Sequence, residues 1–110
     1  MLDFLFVCSQ NLLRSPTCEH VARKRGYLAI SAGTDPNAVR TVTKEDLDRC
    51  SYVVCMEEYH KEKILKIDPE FPEDRLVVWH IPDRYSYCER DLIKIVGNKL
   101  DNKGWKSKGL

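Results

Sequence analysis

A chain of 110 residues can bury one core but not two, so a single domain over residues 1–110 is expected. With 18 basic and 17 acidic residues the net charge is +1, which argues against a nucleic-acid partner and makes any attraction for anions a local matter. No apolar run approaches the roughly 20 residues of a membrane helix, and no basic-then-apolar leader opens the chain. The five cysteines are odd in number and lack paired metal spacing, which fits a reducing cytoplasm and not a disulfide framework.

In chain order, Phe4-Leu5-Phe6-Val7 is a continuous apolar run, the pattern of a central parallel strand buried on both faces. It delivers Cys8 to a loop. Ser15 and Pro16 read as the N-cap and first position of a helix reaching Arg25, with Val21 and Ala22 inward and Gly26 as its stop. Leu28 to Ser31 predicts a second strand. Ser31-Ala32-Gly33-Thr34 then reads as a turn, extended by Asp35-Pro36-Asn37. Thr43 caps a short helix ending near Cys50, with Glu45 and Asp46 in its first turn. Tyr52 to Met56 is a third strand, rich in β-branched residues. A helix follows from about Glu58 to Ile67, with Ile64, Leu65 and Ile67 on its inner side, and then a proline-bearing loop over residues 68–74. Leu76 to Trp79 is the fourth strand. The last helix covers roughly Glu89 to Lys99, striped by Leu92, Ile93, Ile95, Val96 and Leu100, and the basic tail from Asp101 is expected to fray.

Strands alternating with helices predict an α/β fold: a four-stranded parallel sheet with helices on both faces, joined by right-handed crossovers. In such sheets ligands bind beyond the carboxyl ends of the strands. Cys8, the Ser31–Thr34 segment, Met56-Glu57 and Asp83 each follow a strand and should converge on one rim.

The chemistry concentrates in Cys8-Ser9-Gln10-Asn11-Leu12-Leu13-Arg14-Ser15-Pro16. A strand, a short loop and a helix start gather backbone N–H groups around one point, where the helix dipole adds positive charge. Such a nest binds a tetrahedral oxyanion, and Arg14 can add a bidentate fork. The candidate binding residues are Ser9, Gln10, Asn11, Leu12 and Leu13 through their amides, together with Ser15. A thiol at the edge of that nest is expected to be the thiolate nucleophile, Cys8. Cysteine-based hydrolysis of a phosphate monoester also needs a proton for the leaving oxygen. Asp83, on a neighbouring loop, is the candidate acid. It would give that proton and then take one from the water that hydrolyses the phosphocysteine.

Cys-x5-Arg after an N-terminal apolar strand, with Asn11, the Ser15-Pro16 start and the downstream Asp83-Arg84-Tyr85, resembles the low-molecular-weight protein tyrosine phosphatase family. Ser31 to Thr34, Val42 to Asp46 and Cys55-Met56-Glu57 look like its middle section. The resemblance implies catalytic roles for Cys8, Arg14 and Asp83. It also implies a loop-holding role for Asn11 in a positive-φ conformation, a hydroxyl proton from Ser15 to the thiolate, and support of the loop by Ser31. Tyr85 would line the substrate cleft, with Tyr87 as a second possible flank. The chain departs from the family pattern at Arg84, where proline is usual, at Ser9, where an apolar residue is usual, and at Leu13, where many relatives carry a second loop cysteine. Only Asp35 to Thr41 fills a segment that is longer in the family, which implies a more open cleft.

The implied activity is phosphate monoester hydrolysis, on a phosphotyrosine protein or a small aryl phosphate, without cofactor or metal. His20, His60 and His80 are scattered without ligand spacing. Neither membrane nor nucleic acid is an expected partner, and the oligomeric state is not indicated. Two alternatives stand beside it. One is an arsenate reductase of the same fold, for which Cys88 invites attention but lacks a suitably spaced second cysteine. The other is a non-catalytic phosphate-binding module. A sugar-phosphotransferase component also uses a phosphorylated cysteine on such a fold, but it would leave Arg14 and Asp83 without a task.

Overall fold

The strand β1, Leu2–Cys8, is apolar at every position from Phe4 to Val7 because both of its faces are covered. Phe4, Phe6 and Cys8 point into one core cluster, Leu5 and Val7 into a second on the opposite side of the sheet. A computed structural model of the chain describes residues 1–101 and contains, after β1, α1 (Arg14–Lys24), β2 (Ala29–Gly33), α2 (Lys44–Asp48), β3 (Cys50–Cys55), α3 (Glu58–Ile67), β4 (Leu76–Val78) and α4 (Arg90–Asp101). A turn of 3₁₀ helix over Glu73–Arg75 leads into β4. The sheet order is β2-β1-β3-β4, all parallel. The first core cluster takes Cys18, Val21 and Ala22 from α1 with Leu92, Val96 and Leu100 from α4. The second takes Leu47 from α2 and Ile64 from α3. This is the expected α/β architecture, a four-stranded parallel sheet with helices on both faces.

Local chemistry sets the helix ends. Gly26 takes φ +90° after α1, and its N–H bonds to Arg23 O while that of Tyr27 reaches back to Ala22 O. That paired closure needs a left-handed residue after the cap, which glycine supplies without a Cβ clash. At α2 the Thr43 side chain accepts the Asp46 N–H while the Asp46 carboxylate accepts that of Thr43, a complete capping box.

Three local expectations need correction. Cys8 closes β1 instead of opening a loop, because its carbonyl still pairs across to Thr34 N–H. Ser31 to Gly33 is strand, not turn, since the pairing with β1 continues to Cys8 opposite Gly33. Ser15 does not cap α1. The helix starts two residues earlier, at Arg14, with Leu13 in the cap position and no capping side chain, because the Ser15 hydroxyl is engaged by the site described below. The last helix runs to Asp101, held by a bidentate pair with Arg25, and the tail beyond it lies outside the described residues.

Candidate active site

The loop from Ser9 to Leu13 has its back held by the short segment after β2. The carbonyls of Cys8, Ser9 and Gln10 accept the N–H groups of Thr34, Asp35 and Val39. In a trans peptide the carbonyl and the following amide point in opposite directions. The amides of Ser9, Gln10 and Asn11 are therefore turned away from that segment. A Cβ on Gly33 would stand 2.4 Å from Ser9 O and 3.0 Å from Asn11 N, so only glycine lets β2 approach this closely. The brief Asp35–Thr41 connection is thus a buttress behind the loop.

Asn11 sits at φ 58°, a left-handed conformation that asparagine tolerates. Its Nδ2 donates to Ser15 Oγ at 3.0 Å and to Ser31 Oγ at 2.9 Å, and Ser31 Oγ donates in turn to Glu19 at 2.6 Å. Ser15 Oγ stands 3.0 Å from Cys8 Sγ and 3.3 Å from Ala32 O. With Asn11 filling one of its lone pairs, Ser15 keeps its proton for the sulfur or that carbonyl. Asn11, Ser15 and Ser31 are buried, so this network is fixed.

Arg14 is the largest of the fully buried side chains. Its Nη1 donates to Glu57 Oε2 at 2.5 Å and to Ile81 O at 2.8 Å, and its Nε lies 3.7 Å from Asp83 Oδ1. Burial disfavours the guanidinium charge, but the bond to Glu57 and the fields of Asp83 and Glu57 outweigh it and raise the pKa further. The Ile81 carbonyl is delivered by the stretch past β4, in which the Trp79 and Ile81 amides bond to Cys55 O and Met56 O and His80 between them takes φ 56°.

Cys8, Ser9, Gln10, Leu12, Leu13, Arg14 and Asp83 line one cavity of about 190 Å³. The loop residues, the arginine and the aspartate singled out in the sequence therefore share a site at the carboxyl ends of the strands. Tyr85 does not join them, a correction to its expected place in the cleft. Its ring is buried in the core cluster of α1 and α4, under the Arg84 guanidinium. Tyr87 is exposed beside Pro16, Glu19 and His20, in a separate hollow. Cys18, Cys50, Cys55 and Cys88 are free like Cys8. Burial pushes the Cys18 thiol well up and those of Cys50 and Cys55 up to about 12, so these three are inert core groups.

Three more residues belong to the site: Glu57, which the sequence placed on this rim without a task, and Tyr59 and His60, which it did not place there. Glu57, the first residue beyond the Met56 step of the third strand, anchors Arg14. His60, read as one of three scattered histidines, is fully buried, with Nδ1 accepting the Glu57 N–H at 3.0 Å and Nε2 3.0 Å from Ser9 Oγ. Burial and the nearby Arg14 charge push its pKa down to about 4. Tyr59 places its hydroxyl 2.7 Å from Ser9 Oγ. The available signal was positional: all three lie in the first turn after a strand end, on the rim where loops must meet. Among the described residues no group of three or more His, Cys, Asp or Glu side chains is placed to hold a metal ion. No helix among them is long and apolar enough to cross a membrane.

No family model matches the chain, and no curated protein sequence does. Solved structures do match in fold. A low molecular weight phosphotyrosine phosphatase from Vibrio cholerae O395 aligns at 22% identity over 93% of this chain and 95% of its own, with a TM-score of 0.71. The tyrosine phosphatase Wzb from Escherichia coli K30, in complex with phosphate, aligns at 20% identity over 93% and 96%, with a TM-score of 0.73. The YwlE arginine phosphatase, in a mutant whose active-site serine is phosphorylated, aligns at 19% identity over 92% and 95%, with a TM-score of 0.70. The chain has the fold of the low molecular weight tyrosine phosphatases.

Proposed function

We propose that the chain is a phosphate monoester hydrolase working through a phosphocysteine, with phosphotyrosine or another aryl phosphate as substrate. The observation that carries this reading is the cavity in which Cys8, Arg14 and Asp83 meet beneath a loop whose carbonyls are turned outward. The folds of the three solved phosphatases support it, as does the phosphate named with one of them. In the first step Cys8 Sγ attacks phosphorus in line with the leaving oxygen, forming S–P as O–P breaks, while Asp83 delivers its proton to that oxygen. Charge on the three equatorial oxygens is held by the loop amides and by Arg14, whose free N–H groups remain after Glu57 and Ile81 are served. In the second step water attacks phosphorus, Asp83 takes its proton, S–P breaks and inorganic phosphate leaves. Ser15 stabilises the sulfur anion at both ends of the cycle through its 3.0 Å contact.

The test is steady-state hydrolysis of p-nitrophenyl phosphate and a phosphotyrosine peptide by wild type and Cys8→Ser. The variant should fold and be inactive, since an unactivated hydroxyl is a poor nucleophile. Wild type without turnover, or a Cys8→Ser variant that keeps it, would overturn the assignment.

A further inference from the structure

The mechanism above gives the Ser9 hydroxyl no task. Ser9 lines the cavity beside Cys8, and its hydroxyl has two partners on α3. Because the Glu57 N–H donates to His60 Nδ1, that nitrogen carries no proton. The neutral ring then has its proton on Nε2, and Ser9 Oγ accepts it at 3.0 Å. The ring cannot turn away, since His60 is fully buried and packed against Tyr59 with centroids 4.3 Å apart. With a pKa of about 4, it stays neutral through the physiological range.

Ser9 Oγ is left with one proton and one lone pair, and Tyr59 OH stands 2.7 Å away. The Arg14 guanidinium, which can only donate, also interacts with the Tyr59 hydroxyl. The tyrosine proton is thereby freed for Ser9, and the serine proton is freed for the cavity. A doubly charged oxyanion is a stronger acceptor than a phenol and settles that choice. We propose that the Ser9 hydroxyl donates to an oxygen of the bound phosphoryl group, aimed by two positioning residues, His60 and Tyr59, in a relay from Tyr59 through Ser9 to the anion. The proposal rests on the phosphatase reading for the identity of its ligand. It also explains why a polar residue follows the nucleophile, and it closes a circuit from Ser9 through His60 and Glu57 to Arg14 that ties both ends of the loop to α3.

The experiment compares wild type, Ser9→Ala, Ser9→Thr, Tyr59→Phe and the Ser9→Ala/Tyr59→Phe double variant. Two quantities are read: kcat and KM for p-nitrophenyl phosphate, and the Kd of inorganic phosphate by calorimetry, with thermal unfolding as the check on folding. Ser9→Ala should lower kcat/KM and weaken phosphate binding by about 10–10², the worth of a hydrogen bond to a charged group. Ser9→Thr should restore most of both. Tyr59→Phe should weaken both by less, and the double variant should lose clearly less than the sum of the two single losses, because the tyrosine reaches the anion through the serine. Unchanged constants in Ser9→Ala, no rescue by threonine, or additive losses in the double variant would each overturn the relay. A wild type that binds phosphate without hydrolysing esters refutes the phosphatase reading alone, and the phosphate titrations then decide the relay. A wild type that does neither refutes both.

Discussion

Arg14 and Asp83 face each other across one cavity, yet the arginine side chain is 2% exposed and the aspartate 63%. The contrast extends to their surroundings. Arg14 opens the helix after a loop whose carbonyls are bonded to residues 34–39, and the polar side chains Asn11 and Ser15 beside it are buried and paired. Asp83 belongs to the loop segment between β4 and α4, which carries left-handed residues at His80 and Cys88 and exposes much of its length. The proposed mechanism gives the two groups different tasks. Charge that develops in a transition state is best met by dipoles already in place, since reorienting them during the reaction costs energy. A proton donor that must later serve as acceptor has to serve a departing oxygen and then an arriving water, and exposure suits that exchange. If this division is right, changes on the first lip damage stability and catalysis together, whereas changes on the second damage catalysis alone.

The largest effect is expected from Arg14→Ala. Turnover should fall by about 10³–10⁵, the range for losing a guanidinium that stabilises a transferring phosphoryl group. Stability should fall as well, by about 1–3 kcal/mol, because Glu57 and the Ile81 carbonyl lose a donor. The figure stays below that of a fully buried pair because Glu57 is 35% exposed. Single-turnover kinetics and denaturant melts read the two losses separately. A variant that lost activity without losing stability would show the first lip to be less rigidly tied than its contacts imply.

Asp83→Asn comes next, with a fall in rate of about 10²–10⁴. On the second lip the fold should not register the change, and stability should move by less than about 0.5 kcal/mol, as for an exposed substitution. The loss should be smallest for phenols that leave readily and largest for alkyl alcohols, because only poor leaving groups need the proton. A series of substituted phenyl phosphates checks this. A uniform loss across the series would remove Asp83 from the acid role and leave it as a partner of Arg14.

Much of this contrast was legible in the chain, and the part that was not has a physical cause. Phe4 to Val7 announced a central strand because burial on both faces admits no polar residue. Cys8 and Arg14 stand at the two ends of one short loop, so local spacing alone brought them together. Glu57 was expected on this rim from the strand it follows, but its bond to Arg14 and the approach of His60 to Ser9 depend on β3 lying directly beside β1, a pairing that no local pattern encodes. Ser15 was misread for the opposite reason. Serine before proline is a strong local signal for a cap, but Asn11, Cys8 and Ala32 compete for that hydroxyl in the folded chain and win it. The helix then starts two residues earlier without a side-chain cap.

The smallest expected effect sharpens the comparison most, because it concerns a residue of the second lip that behaves like the first. Tyr85 lies two positions from Asp83, but its ring belongs to the core cluster that also holds Cys18, Val21 and Leu92, and its hydroxyl meets Arg84 Nη2 only at 3.4 Å. Tyr85→Phe keeps the ring and should leave KM for a phosphotyrosine peptide and thermal stability almost unchanged. Tyr85→Ala removes the ring from the core and should cost about 3–5 kcal/mol, as other aromatic truncations do. A cleft residue would give the reverse pattern, with truncation raising KM and sparing the fold. The order of these two losses in unfolding and in KM therefore shows whether the tyrosine belongs to the sheet's core or to the substrate.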